Sequence, residues 1–282
     1  MKDVEEIIKS IEKLPPFPVM ASQALKILDD PGASVGDVIS VVQYDQAITA
    51  NVLKMCNSAY YGLARKVHSL REGLVLLGNT QLKEIILAST VVKFFQPENK
   101  GYDLAKGELW KHAVATGIIS RVISRRVSES EPPSLFTAAL LHDIGKAVLN
   151  SFVDRYFEEI IALVDTGDYS FLEAESKMLG INHAELGEKI AKSWDFPEDI
   201  VQSIRLHHRP EEASAGDVIT PIVYLANVIT LSMGIGIGRD GLSYRGKQEV
   251  MKRYGLKPKD LQAIIIDFYD EYNKVQDVLK LA

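Results

Sequence analysis

The chain has a single cysteine, Cys56, which excludes an internal disulfide and with it the stapled scaffold of small secreted domains. That economy fits a reducing cytoplasm. Long apolar runs are also missing, and none approaches the roughly 20 residues that cross a bilayer. The opening MKDVEEIIKS is acidic and amphipathic, without the basic and then apolar pattern of a secretory leader. There is no excess of positive charge: the net charge is −6, which argues against nonspecific nucleic-acid binding as the main activity. No stretch alternates apolar and polar residues long enough to make a sheet, and no fixed-period repeat occurs. The expectation is a soluble, cytoplasmic, all-α protein with no membrane association.

What is present is helical periodicity nearly throughout. Val4, Ile7, Ile8 and Ile11 form one apolar stripe that stops at Pro15-Pro16-Phe17-Pro18. Ala21, Ala24, Leu25 and Leu28 form a second, closed by the turn cluster Asp29-Asp30-Pro31-Gly32. Ser34 with Asp37, Ser170 with Glu173 and Asn182 with Glu185 read as capping boxes opening helices. A helix over 47–56 ends at Asn57-Ser58, and Asn79 is placed to cap another running to Phe95. Further helices are predicted over about 104–127, through AALLHDIGK (138–146), up to Trp194, over 198–208 and over about 219–233. A glycine-rich connector and a C-terminal helical pair complete the chain. The polar segment Pro97 to Gly101 suggests a division into helical subdomains at 1–100 and 101–233, with an extension over 234–282.

The residues able to carry chemistry are few and concentrated. Of six histidines, five (His112, His142, His183, His207 and His208) fall in the second half, whereas His68 stands alone and reads as surface. Glu108 and His112 are four apart and share a helix face, as do His142 and Lys146, with Asp143 about 100° round the axis from His142. An adjacent imidazole and carboxylate at the end of an apolar run are costly to bury without a partner. A metal ion would satisfy both, and nitrogen with carboxylate donors suits iron, manganese or zinc. Other features read as structural. GIGRDG (236–241) has glycine spacing like a dinucleotide loop but follows a helix, and so reads as a flexible loop. Tyr60, Tyr61 and Arg65 read as sealing a helix junction, Phe94 and Phe95 as core, and Arg121, Arg125 and Arg126 as a solvated face or a phosphate contact.

LLHDIGK resembles the signature of the HD superfamily of metal-dependent phosphohydrolases. The order of the other candidates resembles its HD-GYP branch, which hydrolyses cyclic dinucleotides. The matching positions are Glu108, His112, His142, Asp143, Lys146, His183, His207 and His208. Two departures stand out. The late aspartate of that pattern falls on Asn227, and the segment after the histidine pair reads Arg209-Pro210 without a glycine-tyrosine-proline motif. The N-terminal half, LPPFPVMASQALKILDDPGASVGDVISVVQYDQAITANVLKMCNSAYYG with the later LLGNTQLKEIIL, is similar to the HDOD family, the HD-related output domains.

The resemblance implies a second subdomain built as an HD-like helical bundle. It implies one transition-metal ion or two, iron first and manganese or zinc next, held by the histidines and Asp143, with Glu108 and Asn227 at the margin. Asp143 would bridge two ions, Asn227 would weaken the site by lacking charge, and Lys146 would hold a phosphate oxygen or a metal-bound hydroxide. Three roles follow: a bacterial signalling output module acting through protein partners, an active phosphohydrolase using Asp143 and Lys146, or a sensor of a nucleotide or cyclic dinucleotide. The first is the leading expectation.

Overall fold

The computed structural model describes residues 2–30, 32–58, 61–128, 130–243 and 248–275. Helices dominate, and among the described residues there is no strand, only one isolated bridge between Asn99 and Leu104. The all-α expectation therefore holds. The chain forms two compact units: residues 1–14 with 94–268, and residues 15–93 with 269–282.

In the smaller unit, α1 (Lys2–Glu12) having been left to the other, come α2 (Val19–Leu28), α3 (Val35–Val42), α4 (Gln46–Cys56) and α5 (Leu70–Phe95). The apolar stripe of α2 is buried at Ala21, Ala24, Leu25 and Leu28. The capping box of α3 forms as its sequence requires, and Asp45 caps α4 by accepting from the Ile48 amide at 3.0 Å. Asn57 ties the end of α4 to the following loop. Its Nδ2 donates to the carbonyls of Leu53 and Val67, both at 2.8 Å, and its Oδ1 accepts from the Val67 amide at 2.7 Å. Asn57→Ala removes all three bonds and is expected to cost about 1–2 kcal/mol. An unchanged urea midpoint would contradict that.

Of the residues read as sealing a junction here, Tyr60 lies outside the described residues. Tyr61 is half-buried, and Arg65 pairs with Glu72 at 3.0 Å. His68 is exposed, as expected. Cys56 is buried.

One helix does have the length and apolarity that the sequence reading found nowhere. Leu70–Phe95 meets both criteria for a membrane span, with half of its apolar window buried. Gly78 breaks it: at φ 78° and ψ 177° the backbone leaves the helical region, and only glycine takes that conformation cheaply.

The larger unit carries the histidines. Its helices are α1, α6 (Glu108–Val127), α7 (Leu135–Leu141), α8 (Ile144–Arg155), α9 (Phe157–Asp165), α10 (Phe171–Leu179), α11 (His183–Ser193), α12 (Glu198–Leu206), α13 (Ile219–Ser232), α14 (Gln248–Arg253) and α15 (Pro258–Tyr272). α6 is buried along most of its length and packs on α7 and α13, while α11 packs on α8 and α12. Helix α1 belongs to this unit, although the sequence reading grouped it with residues up to 100. Its fully buried Ile7 explains why, with Glu6 pairing to Arg155 at 3.7 Å and α1 packing on α8 and α11. Residues 234–268, read as an extension, also belong here.

Two predicted elements differ in detail. α6 starts at Glu108 and not near 104, because Asn99 and Leu104 exchange backbone bonds (2.9 and 3.1 Å) around the turn Lys100–Tyr102. The helix predicted through AALLHDIGK is two helices, α7 and α8, which meet at His142 and Asp143.

Candidate metal centre

That joint is the centre of the site. His142 ends α7, and Asp143 opens α8, where the helix dipole favours a carboxylate. His112 comes from the first turns of α6, His183 from the first residue of α11, and His207 from the end of α12, with His208 beside it. Helix ends and the face of a long buried helix thus converge on one carboxylate.

The convergence depends on close helix packing. Gly145 sits where α8 meets α11. A Cβ there would lie 1.9 Å from the His183 carbonyl oxygen and 2.8 Å from the Gly187 amide nitrogen. Only a residue without a side chain lets Asp143 and His183 approach at this crossing.

The ligand-type atoms form two groups. One comprises Asp143, His183, His207 and His208; the other comprises His112, His142 and Asp143. Asp143 alone belongs to both, and its two oxygens divide between them. Oδ1 lies 3.5 Å from Nε2 of His183 and 3.5 Å from Nε2 of His207. Oδ2 lies 3.4 Å from Nε2 of His142 and 3.7 Å from Nε2 of His112. Asn227, on α13, places Oδ1 3.0 Å from His112 Nε2. His208 places Nε2 2.8 Å from His183 Nε2. Among these residues only His208 is partly exposed; His112, His142, Asp143, His183, His207 and Asn227 are 2% exposed or less.

The outward nitrogens are fixed. His112 Nδ1 donates to Ile235 O at 3.0 Å, His142 Nδ1 to Ala139 O at 2.7 Å, and His207 Nδ1 to Ile204 O at 2.7 Å. His183 Nδ1 donates to the Glu175 carboxylate at 2.7 Å. A carbonyl or carboxylate can only accept, so each neutral ring turns an Nε2 lone pair inward. Burial disfavours the charged forms of His112 and His207, holding both down at about 4. For Asp143 burial works against the charged form, but the Lys146 ammonium and His142 outweigh it and hold the carboxyl well below its usual range.

These residues fit a metal ion. His142 Nε2 and Asp143 Oδ1 are buried with no hydrogen-bond partner among the described residues, which is costly for a lone pair and more so for a carboxylate. With ligand bonds of about 2.1 Å, two donors on one ion stand about 3.0 Å apart in octahedral and about 3.4 Å apart in tetrahedral geometry. The separations of 2.8–3.7 Å lie close to that range. The donor set is nitrogen and oxygen, as expected for iron, manganese or zinc. Such an ion would supply Lewis acidity to whatever oxygen reached it.

Four expectations need correction. Glu108 shares the helix face of His112 but is in neither group; its carboxylate turns to Lys111, 2.5 Å away, and is partly exposed. Lys146, expected to hold a phosphate oxygen or a metal-bound hydroxide, is already engaged by two carboxylates. It is 4% exposed, and its Nζ donates to Asp143 Oδ2 at 2.7 Å and to Asp240 Oδ2 at 2.5 Å. The glycine-rich segment is not a free loop either. Ile235 orients His112, Asp240 engages Lys146, and Gly236 and Gly238 press against the backbone of Glu108 and Tyr102, where a Cβ would lie 2.5 and 2.1 Å from their carbonyl oxygens. The arginines read as a solvated face are paired in two cases, Arg121 with Glu131 at 3.0 Å and Arg126 with Asp267.

Two residues were missed. Asp240 lies in the connector, where nothing local marks it. Glu175 carried a signal: it stands four residues from both Phe171 and Leu179, on the buried face of α10. Fully buried, it accepts from the His183 ring, from the His183 amide at 2.9 Å and from the Tyr102 hydroxyl at 2.7 Å.

The HDOD domain family model matches residues 14–210. The chain belongs to the HDOD family. Its fold is shared with an HDOD domain protein of unknown function from Geobacter sulfurreducens (TM-score 0.78, 24% identity, 99% of this chain and 96% of that one). It is shared as well with a Shewanella amazonensis SB2B protein named "Putative phosphohydrolase" (TM-score 0.75, 23% identity, 98% and 97%). An uncharacterized protein of Treponema pallidum (strain Nichols) is 24% identical over 220 residues, 73% of this chain and 40% of that relative. The chain spans less than half the length of the curated relatives it matches. The HDOD match takes in every histidine of the cluster and stops before Asn227 and Asp240.

Proposed function

We propose that this HDOD chain is a bacterial signalling output module in which a metal centre holds the larger helical unit in shape, and that it acts through contacts with a protein partner. The observation that carries this reading is the engagement of Lys146. The cation that would receive a phosphate oxygen is already held between Asp143 and Asp240, and the donors around it are almost wholly buried. Asn227, where the related hydrolases have a carboxylate, supports the same reading by leaving the His112 side short of charge.

A second reading, a metal-dependent phosphohydrolase acting on a nucleotide or cyclic dinucleotide, is favoured by one feature. The oxygens of Asp143 face two separate sets of imidazoles, as a bridging carboxylate does in two-metal hydrolysis. The name of the Shewanella neighbour points the same way.

One experiment separates them. Protein purified without chelator is expected to contain iron, manganese or zinc by elemental analysis, to lose it on Asp143→Ala, and to release nothing from a panel of nucleotides and cyclic dinucleotides supplied with iron or manganese. Turnover abolished by Asp143→Ala would replace the first reading with the second. Metal-free protein would remove the centre from both.

A further inference from the structure

The two donor groups around Asp143 are chemically unequal, and the inequality runs in one direction. Resting on the metal-centre reading above, we infer that the cluster takes its ions in order: the first on the Oδ1 side, among His183, His207 and His208, and the second, far more weakly, on the Oδ2 side, among His112, His142 and Asn227.

Three independent observations point this way. The first is what stands behind the ligands. His183 donates to Glu175, a fully buried carboxylate, whereas His112 and His142 donate to the neutral carbonyls of Ile235 and Ala139. A carboxylate behind an imidazole makes its other nitrogen a stronger donor and stabilises the positive charge arriving there. Glu175 is itself held by the Tyr102 hydroxyl and the His183 amide, so its orientation does not depend on an ion being present.

The second observation is the position of Lys146. Its ammonium lies 2.7 Å from Oδ2, the oxygen that faces His112 and His142. An ion binding on that side must share the oxygen with a fixed positive charge in a buried site, where charges are poorly screened. Asp240 holds Lys146 in place from the far side at 2.5 Å. Among the described residues, the groups recorded against Oδ1 are the imidazoles of His183 and His207.

The third is the additional donor on each side. The Oδ1 group includes another imidazole, His208, which suits a transition metal. The Oδ2 group has beside it Asn227, a neutral amide oxygen, which is a weaker partner for these ions. Glu175 is thus a positioning residue for the first ion and Lys146 a brake on the second.

The test is Zn²⁺ titration of chelator-stripped full-length protein against a competing chromophoric chelator, with circular dichroism confirming the fold of each variant. The wild type is expected to bind in two steps, with the second much weaker. Glu175→Gln can keep both bonds from His183, with its amide group donating to the Tyr102 hydroxyl oxygen, but removes the charge, and is expected to weaken the first step about 10–100-fold and leave the second unchanged. Lys146→Gln is expected to tighten the second step and spare the first. Loss of packing alone would not divide the two steps in this way. Two steps of equal affinity in the wild type overturn the ordering, as does a Glu175→Gln variant weakened only in the second step or a Lys146→Gln variant with both steps unchanged. Absence of any bound Zn²⁺ overturns the metal-centre reading itself, and this inference with it.

Discussion

Gly145→Ala is expected to destabilise the protein by about 3 kcal/mol or more and to abolish metal retention, although alanine is the better helix former. Within an exposed helix the same change would stabilise by about 1 kcal/mol. Here the sign reverses because the added carbon would lie 1.9 Å from the carbonyl oxygen of His183, with the Gly187 amide nitrogen at 2.8 Å. The three nearest atoms are all backbone, so no side-chain rotation relieves the clash. Helices α8 and α11 must move apart, and they carry Asp143 and His183, whose approach at 3.5 Å defines the Oδ1 side of the centre. Gly216→Ala is the control: a Cβ there meets nothing within 4 Å, and both stability and metal content should be unchanged. Urea denaturation and elemental analysis of the two variants check this together. A Gly145→Ala protein as stable as the control would mean that α8 and α11 can separate at this crossing without cost.

Gly145 also shows where reading a sequence stops. The apolar stripe of α2, the three capping boxes and the stop at Asn57 were legible because each depends on residues a few positions apart, whereas the stripe of α1 buries Ile7 and leaves Ile8 exposed. The metal cluster was legible in its members because histidine is scarce and the order of the matches was specific. Its organisation was not. Glu108 lies one helical turn from His112, which fixes a shared face but not a shared target, and Lys111, three residues on, takes its carboxylate. Glu175 reaches His183 only through the turn between α10 and α11, and Asp240 reaches Lys146 across 94 positions, so no local pattern announces either contact. The break between α7 and α8 was hidden because AALLHDIGK has sound helical periodicity on both sides of it. What bends the chain there is the tertiary environment, which overrides local propensity.

Asp143→Ala is expected to remove every ion from the centre, in contrast to His112→Ala, which should retain one. Asp143 is the only residue shared by both donor groups, and each of its oxygens serves one of them. Removing it takes a charged donor from both sides at once, whereas removing His112 leaves the Oδ1 group complete. Stability should fall as well, by about 3–5 kcal/mol in the metal-free protein, because Lys146 loses one of its two carboxylates while remaining buried. Asp143→Asn separates the two effects. The amide keeps one oxygen and nearly the original shape, so packing survives, but the charge that balances Lys146 and attracts the ions is gone. That variant should lie between wild type and Asp143→Ala in stability yet resemble Asp143→Ala in metal content. If Asp143→Asn instead retained two ions, the histidines alone would suffice to hold them, and the carboxylate would owe its burial to Lys146.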